Sequence, residues 1–398
     1  MTFLESRAKA LESVLAGGRR LWVVSLPVLV AGVLSCEPDE PELLRPGPEP
    51  AAQLVEVDRA ALVEFYHATG GEDWKKNDGW LTDDSIGTWY GVTVRDGRVI
   101  HLSLPSNNLK GRLPKVVADL SKLRNLSLRD NRLLGEIPRE FGDLSDLGVL
   151  DLSSNQLSGP LPSELKGLSN LKGLRARYAG LEGSLPAWLG DLTALEELAL
   201  GGNHFDSPIP PELGDLPNLG SIYLAQNQLW GPIPPELGIL PELTVLHLQG
   251  NRLSGRIPPE LGNLRTLREL GLHHNELAGP IPSELGNLTN LALLHVSDNA
   301  LTGSIPPELG NLEFLADLGL SGNDLTGPIP PEIISPKHLV RLVVHDTGLS
   351  GRLPRELIGV PLNEFRWHLT ELCSPADEEF QRWLESLRNH IGNRKCQP

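Results

Sequence analysis

Arg175, Arg177, Tyr178, Glu197, Tyr223 and Trp230 form the densest group of recognition chemistry in this 398-residue chain. Planar guanidinium donors and large amphipathic rings are the side chains that most often anchor a ligand on a protein surface. Two of only four tyrosines fall within this short stretch. A second group follows: His247, His273, His274 and His295. Three readings of it stay open. The imidazoles could hold a metal if their rings converged, with Glu269 and Asp298 as the nearest carboxylates. They could charge between about pH 5 and 7 and make binding pH-sensitive. They could also be a plain row of exposed polar side chains. Neither group is accompanied by a catalytic signature, because the chain has no phosphate loop, HExxH, GxSxG or dinucleotide fingerprint. The residues therefore predict a binding protein, not an enzyme, with no cofactor and no committed metal site.

One period must position both groups. From Val99 to Val360 the pattern LxxLxLxxNxLxGxIPxxLGxL recurs every 24 residues, opening in turn on Val99, Leu123, Leu147, Leu171, Leu195, Leu219, Leu243, Leu267, Leu291, Leu315 and Leu339. Turns this small cannot bury their own apolar side and must stack on their neighbours. In the third repeat Leu147, Leu150, Leu152, Leu157 and Leu161 point inward, and the alternation around Leu150 and Leu152 is that of a short strand. Asn155 follows where the chain turns, and its amide can satisfy backbone groups that would otherwise be buried unpaired. Nine of the eleven repeats keep this Asn. Gly159, Gly231 and Gly255 permit a tight bend, and the proline that follows fixes backbone direction.

The pattern resembles the plant-type leucine-rich repeat of receptor-kinase ectodomains, polygalacturonase-inhibiting proteins and many bacterial surface proteins. The resemblance covers about two thirds of the chain. It implies an α/β solenoid: a right-handed superhelix or horseshoe with a parallel sheet on its concave side, short helical turns on its convex side and helical caps at both ends. Strand residues between the leucines then face concave solvent. On this reading Arg175, Arg177 and Tyr178 share one strand, Glu197 and Tyr223 lie on the next two, and Trp230 sits just past the Asn turn of the sixth repeat. His247 is expected beside His273, and His273 beside His295. Repeat four carries Ala179 in place of its Asn and repeat five Ser207 in place of its glycine. Such departures tend to gather at functional sites, with simple drift as the alternative.

The ends read as export and capping devices. Arg19 and Arg20 precede a 15-residue apolar run that ends at Cys36, too short for a comfortable membrane span and suited to a secretory signal. Val33-Leu34-Ser35-Cys36 resembles a bacterial lipobox, which implies lipidation of Cys36; an ordinary cleaved signal or a short uncleaved anchor are the alternatives. Residues 1–35 are thus read as signal, 36–53 as a Pro- and Glu-rich tether, 54–98 as an N-terminal cap, 99–362 as repeats and 363–398 as a C-terminal cap. The first cap contains a helix over 57–69 and the apolar Trp74, Trp80 and Trp89, and resembles the cysteine-free cap of bacterial proteins of this class. The last spaces Phe380, Trp383, Leu384 and Leu387 along one helix face. Cys373 and Cys396 flank that helix and in an exported protein are most simply one disulfide, the alternative being two free thiols.

The formal charge of −16 becomes −18 once residues 1–35, with four basic and two acidic side chains, are removed. Such a balance argues against nucleic acid or anionic head groups as partners. Much of it comes from Glu212, Glu236, Glu260, Glu284 and Glu308, a convex ladder that reads as a solvated face. The expected protein is exported to the cell envelope, held by a lipid anchor, and binds an extracellular or envelope protein, peptide or polysaccharide on its concave face. A structural adhesin with many weak contacts is the first rival. An ice- or crystal-binding surface is a weaker one, since the concave columns are mixed rather than a flat array of Thr or Asn.

Overall fold

The computed structural model describes residues 51–334, 338–392 and 394–397. The signal, Cys36 and nearly all of the tether lie outside the described residues. The apolar alternation of each repeat folds as expected: Leu147, Leu150 and Leu152 are fully buried, as are their counterparts in every later repeat. Each repeat places one short strand in a sheet of fourteen. Its register repeats the sequence period, with Leu198 opposite Ile222 and Ile222 opposite Leu246. All neighbours run parallel except the first pair, where Val92–Arg95 folds back antiparallel on Arg98–Ser103.

Past the Asn turn, further strands of two to five residues build a second face in three pieces: three strands up to Gln156–Leu157, two at Glu182–Gly183 and His204–Phe205, and seven from Trp230–Gly231 to Glu371–Cys373. The convex side consists of five-residue 3-10 turns such as Pro211–Asp215 and Pro235–Ile239. Pro at their first position costs no hydrogen bond there. These turns stack so closely that a Cβ on Gly214 would stand 2.5 Å from the Glu236 carbonyl oxygen, and one on Gly262 2.3 Å from that of Glu284.

The asparagines form a ladder that is interrupted at repeat four. Asn203 Oδ1 accepts from the backbone N–H of Ala179 (3.1 Å) and of Leu181 (3.0 Å), while its Nδ2 donates to the carbonyls of Ala176 (2.7 Å) and Leu200 (2.8 Å). Where repeat four has Ala179 instead, the main chain takes over: the Ala179 carbonyl itself accepts from Leu157 N–H at 2.7 Å. That approach needs Gly180, with φ +84° and a Cβ position only 2.5 Å from the Leu157 oxygen. Ser207 is likewise absorbed, its hydroxyl accepting from Leu185 N–H and donating to the Pro208 carbonyl. Both irregularities thus have a local structural role, and neither by itself marks a functional site.

The N-terminal helix runs Ala51–Ala68, beginning inside the stretch read as tether. Tyr66, Trp74, Trp80 and Trp89 are buried, with the Trp74 and Trp80 rings 4.8 Å apart and Trp80 5.0 Å from Trp89. Asp58, fully buried, accepts from the Arg98 guanidinium at 2.9 Å and from Val99 N–H at 2.7 Å, which pins the helix to the first repeat.

At the other end the coil continues beyond the expected boundary at residue 362. Leu362, Phe365 and Trp367 repeat the LxxLxL spacing and are buried, and Glu364–Arg366 pairs with Arg341–Val343. This twelfth turn escapes the period because it opens 23 residues after Leu339 and uses aromatic rings for leucines. The closing helix is shorter than the pattern suggests, Glu378–Ser386, capped by Asp377 accepting from Phe380 N–H. Leu387 ends it, because Asn389–Ile391 leaves to become the last strand of the sheet. Phe380 and Leu384 are buried and Trp383 packs beside them. Cys373 and Cys396 are disulfide-bonded. No helix among the described residues is long and apolar enough to cross a membrane.

Candidate functional site

The concave strands bring the first group together with one rearrangement. Arg175 ends the strand Gly173–Arg175, and both its Nε (2.9 Å) and Nη2 (2.6 Å) donate to Glu197 Oε2 on the adjacent strand. That hydrogen bond, opposed by burial, holds the Arg175 guanidinium above its ordinary pKa. Arg177 and Tyr178 were expected on the same strand but lie beyond it, because Tyr178 turns the chain with φ +51°. The turn lays the Arg177 guanidinium against two rings, 5.3 Å from the centroid of Tyr223 and 5.8 Å from that of Tyr178. Among the described residues no carboxylate pairs with it. Tyr178 is 51 % exposed and donates its hydroxyl proton to Gln226 Oε1 at 2.8 Å. Trp230, also exposed, belongs to the seven-stranded second sheet, since the chain has already left the concave sheet at its Asn turn.

The histidines are arranged less as a row than as separate pairs. His247 meets Tyr223 edge-on at 5.3 Å and places Nε2 3.0 Å from Glu269. His273 packs against His274 (5.3 Å) and His295 (5.6 Å). His295 Nε2 sits 2.8 Å from Asp317, and His274 Nδ1 3.3 Å from Asp298. Among the described residues no three His, Cys, Asp or Glu side chains are placed to hold a metal ion.

One device recurs through both groups. Arg175, His247 and His295 each lean across the sheet onto a carboxylate 22 residues later: Glu197, Glu269 and Asp317. The residue 24 later is small each time, namely Ala199, Gly271 and Gly319. A Cβ on Gly319 would stand 3.0 Å from the His295 ring, so the small residue makes room for the leaning side chain. A cation followed by an acid at 22 and a small residue at 24 is a sequence signal that points to Asp317. Its wider network, Arg341, His345, Glu364 and Arg366, lies on the last two turns and needed the structure to be found.

Burial, reinforced by the charges of His295 and His274, pushes His273 down from 6.5 to about 4. Burial likewise lowers His247 against the pull of Glu269, and lowers His345 together with His368 and Arg366. Burial works to raise Asp317, but its hydrogen bond from His295 and the charges of His295 and Arg341 outweigh it, so the net direction is down. His273 thus stays neutral in the fold while the unfolded chain takes up its proton near pH 6.5, so unfolding absorbs a proton between the two values. Stability should therefore fall as pH drops from about 6.5 to about 4 and His273 should stop contributing below that. Melting temperatures across this range should show a flatter slope for His273→Asn; a slope equal to wild type would remove His273 as the cause.

The family model of the leucine-rich repeat region matches residues 95–220, and that of the single leucine-rich repeat matches 242–264, 266–288 and 290–312. No curated protein matches the chain. Among solved structures, the ectodomain of the Arabidopsis thaliana receptor kinase GASSHO1/SCHENGEN3, in complex with CASPARIAN STRIP INTEGRITY FACTOR 2, is 34 % identical with a TM-score of 0.76 over 84 % of this chain and 44 % of its own. The Arabidopsis receptor kinase HAESA, in complex with the peptide hormone IDA and the co-receptor SERK1, is 31 % identical with a TM-score of 0.67 over 80 % of this chain and 58 % of its own. A plant ice-binding protein is 26 % identical with a TM-score of 0.62 over 80 % of this chain and 95 % of its own. The chain spans about half the length of the receptor ectodomains it matches. Period, sheet topology and these likenesses together identify the array that begins at Val99 as a leucine-rich-repeat domain, built on the same solenoid as plant receptor ectodomains.

Proposed function

We propose that the concave face binds a protein or peptide ligand, centred on Arg177, Tyr178 and Tyr223 in repeats four to six. The observation that carries this reading is the state of Arg177. Arg175, Arg341 and Arg366 on the same face are each tied to a carboxylate, whereas Arg177 sits over two tyrosine rings and, among the described residues, has no carboxylate partner. A guanidinium fixed in this way has already lost much of the side-chain freedom that binding would otherwise remove. Exposed tyrosines beside it offer large contact area at low entropic cost. The HAESA ectodomain, which shares the solenoid, was solved with a peptide hormone, which supports a peptide as the ligand class.

Export and a lipid anchor at Cys36 belong to the same proposal, and the Cys373–Cys396 disulfide fits an oxidising compartment. The test is a binding screen of the mature chain against secreted proteins and peptides, run beside an Arg177→Ala, Tyr223→Ala variant. Binding should weaken at least about tenfold in the variant while its melting temperature is kept. A ligand that binds both chains equally would move the site off these repeats. In cells, the bound complex should sediment with membranes for the full chain and turn soluble for Cys36→Ala.

A further inference from the structure

On the concave side of repeats eight to eleven, clear of Arg177, lies a groove of about 280 Å³ walled by His273, His295, Ser297, Ser321, Arg341 and His345. The full charges around it are matched to one another. Asp317 takes His295 at 2.8 Å and Arg341 at 3.1 Å; Arg341 also reaches Glu364 at 3.2 Å, and Arg366 meets Glu364 at 2.7 Å. Asp298 is occupied by His274. His273 Nδ1 and His345 Nδ1 are buried without a hydrogen-bond partner, as are Arg366 Nε and Glu364 Oε1, which meet each other only as an ion pair. Orphaned buried polar atoms are rare in folded proteins and ask for an explanation. The His345 ring, which lines the groove, stacks on that of His368, 4.5 Å apart and 19° from parallel, and this fixes its plane. Gly319 supplies no side chain, which keeps the groove open between His295 and Ser297.

We propose that this groove is a second binding site, separate from the one on repeats four to six, and that it takes a neutral sugar ring of a glycan chain. A neutral imidazole donates at one nitrogen and accepts at the other, and a serine hydroxyl does both. A sugar hydroxyl has the same dual capacity, so each contact can run in either direction. A carboxylate or an ammonium group would instead find no uncommitted opposite charge in the wall and would gain one only by breaking an existing ion pair. The flat His345 imidazole suits the C–H face of a pyranose ring, and the groove volume is just under the usual range for small-ligand sites. Burial keeps His273 and His345 uncharged at neutral pH, which preserves this dual character.

The test uses the full chain at pH 7 and titrates it by calorimetry with cellohexaose, xylohexaose, mannohexaose and chitohexaose, and with hexagalacturonate as the charged counterpart. At least one neutral chain should bind saturably, and about tenfold or more tighter than the uronate. His345→Ala should weaken that binding about tenfold, and Ser297→Ala serves as a second variant should His345→Ala fail to fold. Arg177→Ala should leave sugar binding unchanged, which separates this site from the peptide reading. Failure of every neutral chain to bind at millimolar concentration overturns the proposal. Uronate binding as tightly as the neutral chains does so too, as does capture in the same groove of an Asn- and Gln-bearing peptide in preference to sugar.

Discussion

Asn203→Ala should lower unfolding free energy by about 3–5 kcal/mol, the largest effect expected from any single polar substitution in the array. Three backbone groups depend on this side chain alone, the N–H of Ala179 and Leu181 and the carbonyl of Ala176, while the Leu200 carbonyl keeps a second donor in Asn227 Nδ2 at 3.1 Å. The residue is 4 % exposed, so water reaches its partners poorly once the amide is gone. Each buried group left unpaired costs about 1–3 kcal/mol, and partial entry of water into the vacated space reduces the sum. Asn203 matters more than its counterparts because repeat four, directly below it, has no Asn of its own. Urea denaturation gives the number. Hydrogen exchange gives the location, with protection expected to fall first at Ala179 and Leu181. A loss below about 1 kcal/mol would mean that the ladder is decorative.

The second large effect is expected from the C-terminal disulfide. Replacing Cys373 and Cys396 by alanine should cost about 2–4 kcal/mol, since the bond closes a loop across 23 residues of sequence. That loop contains the closing helix and the last strand, the two elements that shield Phe365 and Trp367 from water. A solenoid depends on such caps, because its terminal turn has a neighbour on one side only. The expected signature is a biphasic melt, with Trp367 and Trp383 fluorescence changing before the circular dichroism of the central repeats. Simultaneous loss of both signals would instead show that the array unfolds as one unit.

How much could be read beforehand differs between frame and site. Each repeat position carries the same physical demand eleven times, so burial of Leu198, Ile222 and Leu246 in one column follows from spacing alone. The twelfth turn does not, because one deleted residue and two aromatic substitutions hide Leu362, Phe365 and Trp367 from a 24-residue period. Repeat columns likewise told that Arg175 and Tyr223 face the concave side. They could not tell that Arg175 spends its donors on Glu197 while Arg177 keeps its own, since that depends on which way a long side chain leans. Trp230 lies past its Asn turn as the period implies, but the direction of the chain after that turn carries it off the concave face and into the second sheet. His273 meets His295 as expected, but His247 packs on Tyr223 instead of on His273, and carboxylates take His247, His274 and His295 one by one rather than gathering them around one ion.

The convex glycines carry a geometric consequence. At Gly214, Gly238, Gly262 and Gly286 the next repeat's carbonyl oxygen comes within 2.5 Å of where a Cβ would be. Those four positions therefore set how near consecutive turns lie on the outer circumference, while strand pairing fixes their separation on the inner one at about 4.8 Å. The ratio of the two spacings, together with the thickness of the coil, sets the radius of the arc. A serial replacement of these glycines by alanine would act as a dial on that radius, prying the outer rim apart and tightening the bow. The span over which one ligand could touch distant turns at once would shrink with every step.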